Sequence, residues 1–178
     1  MKDIQSTFEA IYIKESDVIF RFCLLRVSNR ETALDIVQET FLRLWKQMQE
    51  DKDILNERAL LFTIARHLII DWYRKKKSFS LDAMVLNNSN NDERETSFDI
   101  LDEETTFANL EIGAEGRYLI DQINKLGDTY RESIYLRYVE DLSPGEIGKI
   151  MGITPNAASV RINRGLVELK KIVEYGKQ

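Results

Sequence analysis

The sequence predicts an all-α protein of two helical domains joined by a flexible acidic linker, and three observations carry that prediction. All eight glycines (113, 116, 127, 145, 148, 152, 165 and 176) lie beyond residue 112. The only prolines, Pro144 and Pro155, stand where a helix takes its first residue. No run shows sustained two-residue alternation, so no sheet is predicted. A stretch of 112 residues with neither Gly nor Pro has no phosphate-cradling loop and few tight turns. It reads as helix.

Taken in order, the first element is apolar around Phe20, Phe22, Leu24 and Leu25, with Cys23 among them. This is the single cysteine, so no internal disulfide is possible and a packed core thiol is expected. In "TALDIVQETFLRLWKQM", Ala33, Val37, Phe41, Leu44 and Met48 step by 4, 4, 3 and 4 and make a core-facing stripe. The other side presents Asp35, Gln38, Glu39, Leu42 and Arg43. A leucine among polar residues hints at a partner surface, although single exposed leucines are common.

In "LLFTIARHLIIDWYRKKKS", Leu61, Ile64, Ala65, Leu68, Ile69 and Trp72 keep helical spacing. The helix is expected to end in Trp72-Tyr73, followed by Arg74, Lys75, Lys76 and Lys77. Cations complement the dipole at a helix C-terminus, and both rings could be core. Four cations beside two aromatics also suit unpaired nucleic acid, where rings stack on bases and the charges track phosphate.

Charge then divides the chain. Residues 1–80 hold 14 Lys and Arg against 12 Asp and Glu, and residues 116–178 hold 10 against 8. Residues 81–115 hold Arg94 alone against 10 acids, for a net charge of −9. That block contains "NNSNNDERETS", polar and low in complexity, and reads as a linker, mobile or extended. The acidic balance belongs to the linker and does not argue against a nucleic-acid partner.

The last elements carry the most local signal. A helix over about 129–139 is expected, with Tyr130, Ile134 and Tyr138 on one side. Ser143-Pro144-Gly145-Glu146 reads as a capping box with proline at the first helical position. Ile147, Ile150 and Met151 make an apolar face; Gly152 suits a left-handed stop, and Ile153 is free to tuck inward. Thr154-Pro155 opens a second helix with the stripe Ala158, Ile162, Leu166, Leu169 and Val173. Two helices joined by a short glycine-containing turn are a helix-turn-helix. The opposite face carries Asn156, Ser159, Val160, Asn163 and Arg164, with Arg161 at its margin and no acid before Glu168. Ordinary surface helices mix charges of both signs, whereas Asn and Arg contact base edges bidentately.

Other functions are less well served. His67 is the only histidine, which excludes His-based metal clusters and most nucleophile–base pairs; no catalytic constellation and no cofactor are expected. The N-terminus lacks a basic-then-apolar signal, and "ALLFTIARHLII" is broken by Arg66 and His67 and too short to span a bilayer. A cytoplasmic protein without direct membrane insertion is expected.

These stretches, in this order, resemble the extracytoplasmic-function (ECF) class of bacterial sigma factors over nearly the whole chain. "DIVQETFLRLW" looks like the family's region 2.2, which docks on the clamp of core RNA polymerase. "LLFTIARHLIIDWYRKKK" looks like regions 2.3 and 2.4, which melt and read the promoter −10 element. "LRYVEDLSPGEIGKIMGITPNAASVRINRGLVELKK" looks like region 4, which reads the −35 element. The resemblance implies region 2 in residues 1–80, a linker over 81–115 threading toward the polymerase cleft, and region 4 in 116–178.

It also implies roles by position. Asp35, Gln38, Glu39 and Leu42, with Arg43 beside them, would face the polymerase. His67, Asp71, Trp72, Tyr73, Arg74, Lys75 and Lys76 would face the −10 element, and the loop Glu50–Asn56 would pocket a flipped base. Asn156, Ser159, Val160, Asn163 and Arg164 would enter the −35 groove, with Arg161 on phosphate. The chain departs from the family at His67 (usually Asn), Ser159 (often basic), Gly127 (usually Pro) and Gly148 (usually Ala). Implied partners are core RNA polymerase, promoter DNA and an anti-sigma factor. A LuxR-like two-domain regulator is the alternative, but it needs an α/β domain that the glycine-free N-terminal half argues against. A helical scaffold without nucleic acid would leave Trp72–Lys77 and the acid-free face unexplained.

Overall fold

The computed structural model describes residues 4–50, 54–85 and 114–175, and no strand occurs among them. The chain forms two compact units. The first holds α1 (Ile4–Val27), α2 (Arg30–Gln49) and α3 (Glu57–Val85). The second holds α4 (Ala114–Asn124), α5 (Asp128–Ile134) prolonged by a π turn (Tyr135–Val139), α6 (Pro144–Met151) and α7 (Pro155–Tyr175).

The α1–α2 corner is tight although it has no glycine. Ser28 takes the left-handed conformation, φ 58°, and its N–H donates to Leu24 O at 3.0 Å. Asn29 then caps α2 by accepting from the Thr32 N–H at 2.8 Å. A small polar residue thus makes the turn that the lack of glycine argued against.

The core of this unit follows the expected stripes. Ala33, Val37, Phe41 and Leu44 are buried on α2, and Leu61, Ile64, Ala65 and Ile69 on α3. Phe22 of α1 meets Phe62 of α3 edge-on at 5.1 Å. Cys23 is fully buried, and that burial pushes its thiol up to about 12. It is an inert packing residue.

The helix expected to stop at Trp72-Tyr73 does not. Helix α3 runs on to Val85, five residues into the block expected to be linker. No Gly or Pro interrupts residues 57–85, and Arg, Lys, Leu, Ala and Met are all good helix formers. Residues 86–113, most of the expected linker, lie outside the described residues.

In the second unit the capping box forms as expected. The Ser143 N–H donates to Glu146 Oε2 at 2.8 Å, and the Glu146 N–H returns to Ser143 Oγ at 3.3 Å. Gly152 has φ 67°, and the Ile153 N–H closes the turn on Gly148 O at 2.9 Å. Thr154 Oγ1 accepts from the Ala157 N–H at 3.2 Å, starting α7.

Two expectations fail here. Tyr138 is 56% exposed rather than aligned with Ile134. The Glu140 N–H reaches back five residues to Tyr135 O, and the wider turn rotates Tyr138 and Val139 outward. Leu166 is also exposed, because Gly165 takes the contact with α5. A Cβ on Gly165 would lie 2.8 Å from Cγ1 of the buried Ile134. Gly165→Val is therefore expected to destabilise the second unit by about 1–3 kcal/mol, the scale of overpacking. Thermal denaturation checks it.

Candidate nucleic-acid and partner interfaces

Helix α7 holds its apolar side against α5 and α6 through Ala158 and Ile162, leaving the opposite side free. Asn156, Val160, Asn163 and Arg164 are exposed there, while Ser159 and Arg161 are half-buried. Ser159 Oγ donates to Pro155 O at 3.1 Å, so its hydroxyl is turned onto its own helix. Arg161 and Arg164 make no ion pair among the described residues. Further along, Lys170 pairs with Glu174 at 3.8 Å and Lys171 with Glu168 at 2.8 Å. The uncommitted cations are therefore concentrated where acids are missing. Val167, 56% exposed and two turns after Val160, extends this face. Its i+7 spacing from Val160 was the available sequence signal.

On α3, His67, Asp71 and Arg74 are exposed at i, i+4 and i+7, which places them on one side. Asp71 and Arg74 form an open ion pair at 3.8 Å. Lys75 and Lys76 are exposed as well, and the side chain of Lys77 lies outside the described residues. The two rings separate in role. Trp72 is half-buried, with Lys76 Nζ 5.3 Å from its centroid. Tyr73 lies edge-on to Trp72 at 4.8 Å, and its hydroxyl donates to Arg26 O at the end of α1. Tyr73 is thus an anchor between helices.

The loop before α3 is described in part; residues 51–53 lie outside the described residues. Asn56 Oδ1 accepts from the Ala59 N–H at 2.8 Å and caps α3. Leu55, which the sequence did not single out, is 93% exposed.

On α2, Asp35, Gln38, Leu42 and Arg43 are exposed, with Leu42 at 45%. Glu39 accepts from Arg43 Nε at 2.7 Å, both side chains being nearly half exposed. Leu34, 40% exposed, joins Gln38 and Leu42 at steps of four, a second apolar residue on this side that the sequence had not flagged.

These surfaces define a class: a helical unit with a basic helix side and a polar-apolar docking side, and a second unit built as a helix-turn-helix. Residues 11–79 match sigma-70 region 2, and residues 116–169 match sigma-70 region 4. The chain is 33% identical to the ECF RNA polymerase sigma factor SigW of Bacillus subtilis (strain 168), over 96% of this chain and 90% of SigW. It is 25% identical to the RNA polymerase sigma factor YlaC of the same strain, over 94% and 92%. Its fold is similar to that of the sigma factor RpoE from Bartonella quintana, solved with the anti-sigma factor NepR. The TM-score is 0.68 and the identity 20%, covering 94% of this chain and 97% of that one. CnrH, solved with the cytosolic domain of CnrY, gives 0.61 at 18% identity over 96% and 90%.

The chain belongs to the ECF RNA polymerase sigma factors. It is a promoter-directing initiation factor of RNA polymerase and not an enzyme. The LuxR-like alternative is not favoured, since a sigma-70 region 2 occupies the place of its α/β domain.

Proposed function

We propose that residues 1–80 act as region 2 and residues 116–178 as region 4, with residues 81–115 as the connecting segment inside the polymerase. Asp35, Gln38, Glu39, Leu42 and Arg43 dock on core polymerase. His67, Asp71, Trp72 and Arg74–Lys76 meet the −10 element, with Tyr73 supporting them. Asn156, Val160, Asn163 and Arg164 read the −35 groove, Arg161 grips phosphate, and Ser159 lends the face a small polar surface without charge. The protein acts in the cytoplasm, where the polymerase works. An anti-sigma factor restrains it, a partner suggested by NepR and CnrY on the similar folds.

The observation that carries this reading is the α7 face: two arginines without ion-pair partners among the described residues, on a stretch of helix with no acid before Glu168. Arg164→Ala and Asn163→Ala are each expected to weaken binding to the cognate −35 duplex by about 1–3 kcal/mol and to relax preference at one position. Lys170, held only by an exposed pair, is expected to contribute equally on all sequences. Transcription from the cognate promoter that is unchanged by Arg164→Ala would overturn the assignment.

A further inference from the structure

Helix α7 is seated on the rest of its unit through two glycines that leave no room for a β-carbon. Gly148 is buried in α6, and its carbonyl accepts from the Ile153 N–H at 2.9 Å. A Cβ there would lie 2.8 Å from Ile153 O and 3.3 Å from Thr154 C and Pro155 N. All three are backbone atoms, so no side-chain rotation relieves the clash and the turn itself would have to open. Gly165, buried on α7, stands against α5. A Cβ there would lie 2.8 Å from Ile134 Cγ1 and 3.2 Å from its Cδ1, and Ile134 is itself buried. Glycine is a poor residue for a helix interior, where alanine is the stabilising choice if space allows. Among the described glycines only Gly152 has a positive φ, so backbone conformation does not require glycine at 148 or 165. Proximity does.

We propose that Gly148 and Gly165 are positioning residues for −35 selectivity, which fix the depth and tilt of α7 on α5 and α6. This rests on the −35 assignment of α7 given above. The two contacts bracket the groove-facing residues: Pro155, against Gly148, immediately precedes Asn156, and Arg164 immediately precedes Gly165. Hydrogen bonds to base edges tolerate displacements of only a few tenths of an ångström before length and angle suffer. Attraction between a cation and phosphate falls off slowly with distance. A small shift of α7 therefore costs base selectivity before it costs general affinity for DNA.

The test uses holoenzyme reconstituted with full-length wild-type, Gly148→Ala, Gly165→Ala, Gly145→Ala and Arg164→Ala chains, at a temperature where circular dichroism shows each one folded. Competition between the cognate promoter and one with a scrambled −35 element gives a selectivity ratio in which the shared −10 contacts cancel. Gly148→Ala and Gly165→Ala are each expected to lower the ratio about tenfold, within the range of one bidentate base contact. Binding to the scrambled promoter is expected to change by less than about twofold, because phosphate contacts are retained. Gly145→Ala is the control: it lies in the same helix, and a Cβ there meets only Ser143 Oγ, at an ordinary 3.9 Å. It is expected to leave the ratio unchanged. A lower Tm with an unchanged ratio in both glycine variants would make these glycines packing residues only and overturn the proposal. So would an equal loss of selectivity in Gly145→Ala, which alters helix propensity without a clash. If Arg164→Ala lowers the ratio and neither Gly148→Ala nor Gly165→Ala does, the proposal falls and the −35 assignment stands. If Arg164→Ala also leaves it unchanged, both fall.

Discussion

Leu42→Asp is expected to abolish holoenzyme formation while leaving the helical circular dichroism of the chain unchanged. Leu42 is 45% exposed on α2, in sequence between Gln38 and Glu39 on one side and Arg43 on the other, and is not one of the buried residues of the stripe Ala33, Val37, Phe41 and Leu44. A carboxylate there meets water in the free protein, so the fold loses little. In the complex the same group would be desolvated against a surface shaped for leucine, which costs several kcal/mol if it remains unpaired. Glu39→Lys acts by another route. It turns the pair with Arg43, 2.7 Å apart, into two adjacent cations and reverses the charge offered to the partner. Co-purification with core polymerase measures both. Loss of helicity in either variant would mean that this side of α2 is core, and holoenzyme of normal affinity would remove it from the docking surface.

Trp72→Ala is expected to impair open-complex formation on duplex promoters strongly and on a pre-melted bubble weakly, because a half-exposed ring stacking on an unpaired base acts at the melting step. Base–aromatic stacking is worth about 1–3 kcal/mol, which corresponds to a loss of about 5- to 150-fold. Tyr73→Phe separates the neighbouring role. It keeps the ring against Trp72 and removes only the hydroxyl bonded to Arg26 O, so about 1 kcal/mol of stability is expected to go. Its promoter melting should stay near wild type at temperatures where the domain is folded. A Tyr73→Phe defect on duplex alone, with normal stability, would return this residue to the base-contacting set. Equal Trp72→Ala defects on bubble and duplex would assign the indole to packing.

The features legible in the sequence were those set by neighbours in the chain. The Ser143–Glu146 capping box, the Gly152 stop and the α2 stripe depend on residues within one or two turns, so spacing and residue type sufficed. The Tyr73 hydroxyl finds its acceptor 47 residues away, and no local pattern encodes that meeting. Ser28 adopts a conformation that its residue type only tolerates, held by the docking of α1 on α2. The reach of α3 to Val85 is not legible locally, because a run of cations suits a helix terminus and an exposed helix surface equally well. On the candidate faces, exposure of Leu42, Asn163 and Arg164 follows from periodicity. Which arginines and lysines are already engaged by a carboxylate required side-chain geometry.

The π turn at Tyr135–Val139 bears on how this family can vary in length. Such a turn is an α-helix that has absorbed one additional residue, and its ends keep the phase of an uninterrupted helix. A relative lacking one residue here would regain regular i→i+4 bonding, with Ile134 and the capped start of α6 left where they are. Alignments should therefore place single-residue gaps at this point more readily than inside α6 or α7, where a deletion would turn every following side chain by about 100°. What the additional residue changes is the surface: it puts an aromatic ring and a valine into solvent beside the helix-turn-helix. A one-residue indel could thus add or withdraw a contact patch while leaving the core unchanged, a step that substitution alone would take several mutations to make.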